Sequence, residues 1–228
     1  MGNARQDARP RHDDASKVTW DAWEGPGQER GPFSSFGCAA RGLYAIMAQE
    51  HLRLKNVRAS AGGSMQDVVI RQAVQADLDP VMEVYASARR FMKETGNPTQ
   101  WGDDFPPREL IDGRICRGEL YVLAQEGAIH AAFALILGPD PTYARIEGGS
   151  WESDSPYGTL HQVASDGSVR GVFQKAVDFS LGRRRHLRVD THADNKVMQA
   201  AILRAGFQYR GIIYVRDHSP RLAYELVA

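Results

Sequence analysis

The chain has 228 residues with 28 Lys and Arg against 28 Asp and Glu, so its formal charge is zero. Such a balance gives no long-range field to gather nucleic acid or anionic membrane. No apolar run reaches the ~20 residues of a membrane-spanning helix, and the N-terminus has no apolar signal core. Cys38 and Cys116 lie far apart with neither metal spacing nor a disulfide framework, which makes a reducing cytoplasm the expected compartment.

Residues 1–64 differ in character from the rest of the chain. Trp20, Trp23, Phe33 and Phe36 are scattered without period among charges, Gly and Pro. A stretch of that kind buries too little apolar surface to offset the entropy of ordering it. The expectation is a disordered extension with one short helix over Ala39–Lys55, or a stretch upstream of a true start at Met65, set off by the linker ASAGGS.

From Met65 onward the pattern is regular and predicts one domain over 65–228. A strand is expected over Asp67–Val74, then a helix capped by Asp77 with a face of Val81, Val84, Tyr85, Ala88 and Phe91. After the turn-rich NPTQWGDDFPP a second helix runs from Pro107 to about Arg117. Two strands, Glu119–Gln125 and Ala128–Leu137, meet at Glu126-Gly127 in hairpin style. The connection 138–158 is long, with a short strand expected at Tyr143–Glu147. A strand at Leu160–Ser165 hands over to a helix from near Val169, whose apolar face is Val172, Phe173, Ala176 and Val177. Strand His186–Thr191, helix Asn195–Ala205, and strands Phe207–Arg216 and Arg221–Val227 complete an α/β fold. Its mixed central sheet has six to seven strands with helices on both faces.

The unit Leu160–Phe179 carries the chemistry. A strand ending in a glycine-containing turn and opening a helix leaves N–H groups without intrahelical partners, and with the helix dipole these can bind a phosphate or pyrophosphate. The acidic and imidazole set Asp190, His192, Asp194 ties a strand end to a helix N-terminus, with Asp194 as cap, rather than marking a metal site.

The order of elements, with NKVMQAAILRAGF placing Asn195, Arg204, Gly206 and Phe207, resembles the GNAT superfamily of acetyl-CoA-dependent N-acetyltransferases over Val68 to Leu226. The resemblance implies acetyl transfer from acetyl-CoA, as co-substrate and without a metal, to a primary amine. The amine would attack directly in a ternary complex. It implies a cofactor set of Val163, Ser168, Arg170, Gly171, Val172, Phe173 and Asn195, with the Val163 N–H polarising the thioester carbonyl. The family's Gln/Arg-x-x-Gly-x-Gly/Ala places fall here on Ser168, Gly171 and Phe173, so only the glycine is kept. A family tyrosine that protonates the departing thiolate falls on Ile202; Tyr209, Tyr214 or water could take that role.

Proton removal from the amine needs a base, and the candidates are His161 and Glu147. Trp101, Phe105 and Trp151, aromatics on turn-rich segments, are expected at the acceptor cleft. The expected partner is a small-molecule amine, with neither nucleic acid nor membrane, and a homodimer is the assembly to test. The competing reading is a non-catalytic GNAT-like module that binds an acyl-CoA or a protein.

Overall fold

The computed structural model describes residues 68–228; the extension 1–64, its expected helix and the boundary at Met65 lie outside the described residues. The strands are β1 (Val69–Gln72), β2 (Leu120–Gln125), β3 (Ala128–Leu137), β4 (Gly158–Ser165), β5 (His186–Thr191), β6 (Gln208–Tyr214) and β7 (Pro220–Val227). They form one seven-stranded sheet in the order β1-β2-β3-β4-β5-β7-β6. All neighbours are antiparallel except β4 and β5. Four helices cover it: α1 (Leu78–Glu94), α2 (Arg108–Arg117), α3 (Val172–Leu181) and α4 (Lys196–Arg204).

Period-two alternation sends successive residues to opposite faces, and each face has its own core. On one, Phe133, Leu135, Leu160, Leu187 and Val189 pack under α3 and α4 with Val172, Phe173, Val177 and Ile202. On the other, Val122, Ala132, Ala134 and Ala164 meet Val81, Val84, Tyr85, Ile111 and Ile115 from α1 and α2. The β5-β7-β6 half of this second face is covered instead by the connection 138–157, through Tyr143, Ile146, Trp151 and Tyr157 on Ile213 and Ala223. Helices stop where the apolar stripe has covered the sheet; side chains of the insert do the rest.

Three expectations are corrected. Asp77 occupies the N-cap position of α1 as expected, but its side chain makes no cap bond; its carboxylate accepts from the Val74 N–H at 2.8 Å and from Arg71 at 2.5 and 2.8 Å. Instead of a strand at Tyr143–Glu147 there is a 3-10 turn at Pro141–Tyr143 and a single bridge of Glu147 to Ile212, because the segment lies across β6 rather than along it. Finally, α3 begins at Val172 rather than near Val169, since Gly171 adopts φ +68°, a left-handed conformation that cannot continue a helix. Of the two cysteines, Cys38 lies outside the described residues. The expectation for the cysteine pair lies outside them with it.

Candidate active site

The parallel pair β4 and β5 is joined over only three residues, Gly158↔Leu187, Thr159↔Arg188 and Leu160↔Val189. Beyond Leu160 and Val189 both strands continue without pairing to each other, so the sheet forks. Just past the fork β4 carries a bulge: Ala134 pairs with His161 and Ala132 with Ala164, leaving Phe133 opposite both Gln162 and Val163. Gln162 takes φ +46°, a conformation costly for a residue with a Cβ. The Tyr85 hydroxyl donates to the Gln162 carbonyl at 3.0 Å and holds the bulge from α1. Burial pushes that hydroxyl's pKa up, so it remains a donor.

His161 stands at the fork on the α1–α2 face. Its Nε2 lies 2.9 Å from Asp140 Oδ2, and its Nδ1 lies 3.9 Å from Asp190 Oδ1. Asp140 comes from the insert and is itself fixed, accepting from the Thr142 N–H (2.9 Å) and hydroxyl (2.7 Å). Burial would raise its pKa, but His161 and Thr142 together hold the carboxyl well below the usual range. Asp190, the next residue of β5 after Val189, accepts from the Tyr143 hydroxyl at 2.7 Å. Burial, followed by the neighbouring Asp190, pushes Tyr143 well up. The His161 and Tyr143 rings meet edge to face at 6.0 Å.

The other two residues expected to be catalytic are elsewhere. Glu147 and Tyr214 meet each other, the Tyr214 hydroxyl donating to Glu147 Oε2 at 2.9 Å while Arg145 donates to Oε1 at 2.5 Å. The hydrogen bond to Glu147 raises the Tyr214 pKa. Their place is the outer strand β6, three strand spacings (~14 Å) from β4. Both line one cavity with Pro141 and Thr142, the latter bonded to Asp140. Of the glycines of EGGS, Gly148 takes φ +68° with open space around it, and Gly149 is there for close approach. A Cβ on Gly149 would overlap the Arg210 carbonyl oxygen, so the insert lies directly on the β6 backbone.

Around the loop after β4 the cofactor set divides. The Ser168 N–H is already donated to Asp166 Oδ1 at 2.8 Å. Asp166 also meets His130 Nδ1 at 2.8 Å; burial opposes these bonds, yet they hold its carboxyl low. The first bond of α3 runs from the Lys175 N–H to the Gly171 carbonyl at 3.0 Å, and no side chain caps the helix. The N–H groups of Gly171, Val172, Phe173 and Gln174 therefore remain as donors, with the exposed Arg170 beside them. Phe173 does not crowd the loop, because its ring is 7% exposed and packs on Phe207 at 6.1 Å. Asn195 is occupied as the cap of α4, accepting from the Met198 N–H and donating to Gln100, both at 3.0 Å. It takes the role expected of Asp194.

The aromatic set also divides. Trp101 lies between Tyr85 and Phe105, at 5.8 and 6.2 Å. Gln100 beside it reaches Asn195, so this loop spans from α1 to the start of α4. Trp151 is not a cleft residue: its ring stacks on Tyr143 at 5.5 Å, and the Arg188 guanidinium lies 4.0 Å from its centroid. Asp140 is a candidate site residue that the sequence does not announce, and Asp190 stands out there only within the set Asp190, His192, Asp194, as a tie between strand end and helix. Among the described residues no group of three His, Cys, Asp or Glu side chains is arranged to hold a metal ion, and no helix is long and apolar enough to cross a membrane.

Solved structures share this architecture. An acetyltransferase of the GNAT family from Streptococcus agalactiae is 28% identical, with a TM-score of 0.66, the match covering 73% of this chain and 99% of that one. A GNAT-family acetyltransferase from Listeria monocytogenes shares the fold at 23% identity and a TM-score of 0.53, covering 73% of this chain and 96% of that one. No family model and no curated protein matches the chain. The chain shares the fold of these GNAT-family acetyltransferases, with its own mixed seven-stranded sheet forked at the parallel pair.

Proposed function

We propose that the chain is an N-acyltransferase that moves an acetyl group from acetyl-CoA to a primary amine by direct attack in a ternary complex. The observation that carries this reading is the fork itself. Where β4 and β5 stop pairing, β4 carries the bulge and His161, and the loop after it leads to the uncapped N-terminus of α3. The likeness to the streptococcal acetyltransferase supports the same class of reaction. The free N–H groups of Gly171 to Gln174 and the Arg170 side chain fit a pyrophosphate, and the Val163 N–H on the bulge is the donor for a thioester carbonyl. Acetyl-CoA supplies an activated acetyl group. The amine nitrogen forms a bond to the acetyl carbon, the C–S bond breaks, and the electron pair leaves on sulfur, stable enough near neutral pH to need no dedicated acid. His161 takes the proton of the incoming amine, and Asp140, bonded to Nε2, is the positioning residue that turns Nδ1 toward the opening.

Calorimetric titration of acetyl-CoA, followed by thiol release with a panel of primary amines, tests this. Acetyl-CoA should bind, and Arg170→Glu should weaken it by tenfold or more with an unchanged melting temperature, since Arg170 is exposed. Binding without thiol release from any amine would favour the non-catalytic module; absence of binding would remove the proposal.

A further inference from the structure

Leu160 and Val189, the last paired residues of the fork, point into the α3–α4 core. His161 and Asp190 are the next residue on each strand and therefore emerge together on the opposite face. With Nε2–H given to Asp140, a neutral imidazole presents Nδ1 as a lone pair, and the Asp190 carboxylate is acceptor only. Two acceptors thus face each other over 3.9 Å, too far for a direct hydrogen bond. Asp140 and Asp190 place two carboxylates around one histidine. Among the described residues neither is paired with a Lys or Arg, and their other neighbours are the hydroxyls of Tyr143 and Thr142 and, through the Asp140 N–H, of Tyr157.

We infer that this gap is the acceptor's binding subsite: a primary ammonium bridges Asp190 Oδ1 and His161 Nδ1, and Asp190 selects cationic amines over alcohols. An ammonium nitrogen seated beside the gap at an ordinary ~2.8 Å from each atom donates one proton to each. A hydroxyl has a single proton, reaches only one of the two atoms, and brings no charge to set against the carboxylate. The ammonium also answers the excess negative charge, which neither water nor an alcohol does. When one of its protons passes to Nδ1, the nitrogen keeps the electron pair as a neutral amine, and the imidazolium formed lies between two carboxylates. The subsite deepens the acetyl-transfer reading and rests on it for the fate of the amine, but binding can be tested without turnover.

The test follows the His161 imidazole nitrogens of the full chain by NMR, assigned with His161→Asn, while butylammonium chloride, n-butanol or potassium chloride is added. Butylammonium should shift Nδ1 saturably, and the other two should not. Asp190→Asn keeps an acceptor for Tyr143 but loses the charge, and should weaken butylammonium at least tenfold; Tyr143→Phe, which keeps the carboxylate, should bind as the unaltered chain does. No shift with butylammonium, equal response to n-butanol, or undiminished binding in Asp190→Asn would overturn the subsite. If Asp190→Asn does not fold, the comparison of butylammonium with n-butanol on the unaltered chain decides. Failure of acetyl-CoA to bind overturns the transferase reading and leaves this result standing, so the two are told apart. Where an accepted amine is found, Asp190→Asn should raise KM at least tenfold with a smaller change in kcat, the reverse of His161→Asn.

Discussion

Two histidine–carboxylate pairs sit on the same face of the sheet, one strand apart, and they are used in opposite ways. His186 on β5 has both ring nitrogens committed: Nε2 lies 2.7 Å from Glu225, and Nδ1 meets the Ser155 carbonyl at 3.0 Å and its hydroxyl at 2.9 Å. Glu225, fully buried, also takes Arg188 at 3.1 Å, Arg210 at 3.2 Å and the Glu152 N–H at 2.6 Å. Arg188 is held between the rings of Trp151 and Tyr157, 4.0 Å from each centroid. The network fastens the insert 138–157 to β5, β7 and β6. His161, by contrast, commits one nitrogen and leaves the other 3.9 Å from Asp190 Oδ1, beyond hydrogen-bond reach. A histidine's partners on both nitrogens, rather than its burial or its proximity to an acid, separate a structural role from a chemical one.

The sharpest way to break this contrast is at its centre. Glu225→Ala strands His186, Arg188 and Arg210 without their shared acceptor, and removal of one member of a buried ion network is expected to cost about 3–5 kcal/mol in denaturant unfolding. A loss below ~1 kcal/mol would show that the network is not what fastens the insert. The paired substitutions come next. His161→Asn should lower kcat by roughly 10²–10⁴ with stability nearly unchanged, while His186→Asn should destabilise the fold and leave the rate of the remaining folded protein intact. If both act on stability alone, the distinction between the pairs collapses.

Acid should act on the fork through Asp140. Its folded pKa is depressed, so its contribution to stability is full above the ordinary carboxylate value of about 3.9 and is lost as pH falls below it; on the order of 2 kcal/mol is at stake. Asp140→Asn should flatten unfolding free energy measured between pH 5 and 3. Gly149→Ala tests the seating of the insert on β6, and about 1–2 kcal/mol is expected because the obstacle is a backbone carbonyl that must move. The smallest effect belongs to Asn195→Ala, about 1 kcal/mol for a lost helix cap, with acetyl-CoA affinity unchanged if capping is its whole role.

The periodic parts of the molecule are legible in the sequence. Strand alternation and helical stripes locate β2, β3, β5 and α4 to within a residue or two, and the order of elements leads to the fold. Phe173 shows the limit of motif reading: as a departure from a small residue it resembles an obstruction, yet its place in the Val172, Phe173, Ala176, Val177 stripe sends the ring inward. The site is less legible because it is assembled by the aperiodic insert. Nothing local tells that Asp140 crosses to His161, or that Gly149 lets the insert lie on the backbone of β6. Trp151 defies placement for a related reason, since its partner Arg188 lies 37 residues on, in a strand that reads as apolar core.

The three-pair junction between β4 and β5 has a consequence for how the sheet behaves as a whole. The strands β1 to β4 and the strands β5, β7 and β6 are two ladders that share almost no main-chain bonds with each other. A ligand lying in the fork stands where further rungs would be, so it acts as an honorary strand. Binding to the folded state should then stabilise both ladders as RT ln(1 + [L]/Kd), about 2.7 kcal/mol at a hundredfold excess over Kd. Without ligand, amide exchange of the Val163–Ser165 and Asp190–Thr191 segments should be faster than that of the paired Gly158–Leu160 and Leu187–Val189 segments. With ligand the two rates should converge, and the two ladders should melt as one.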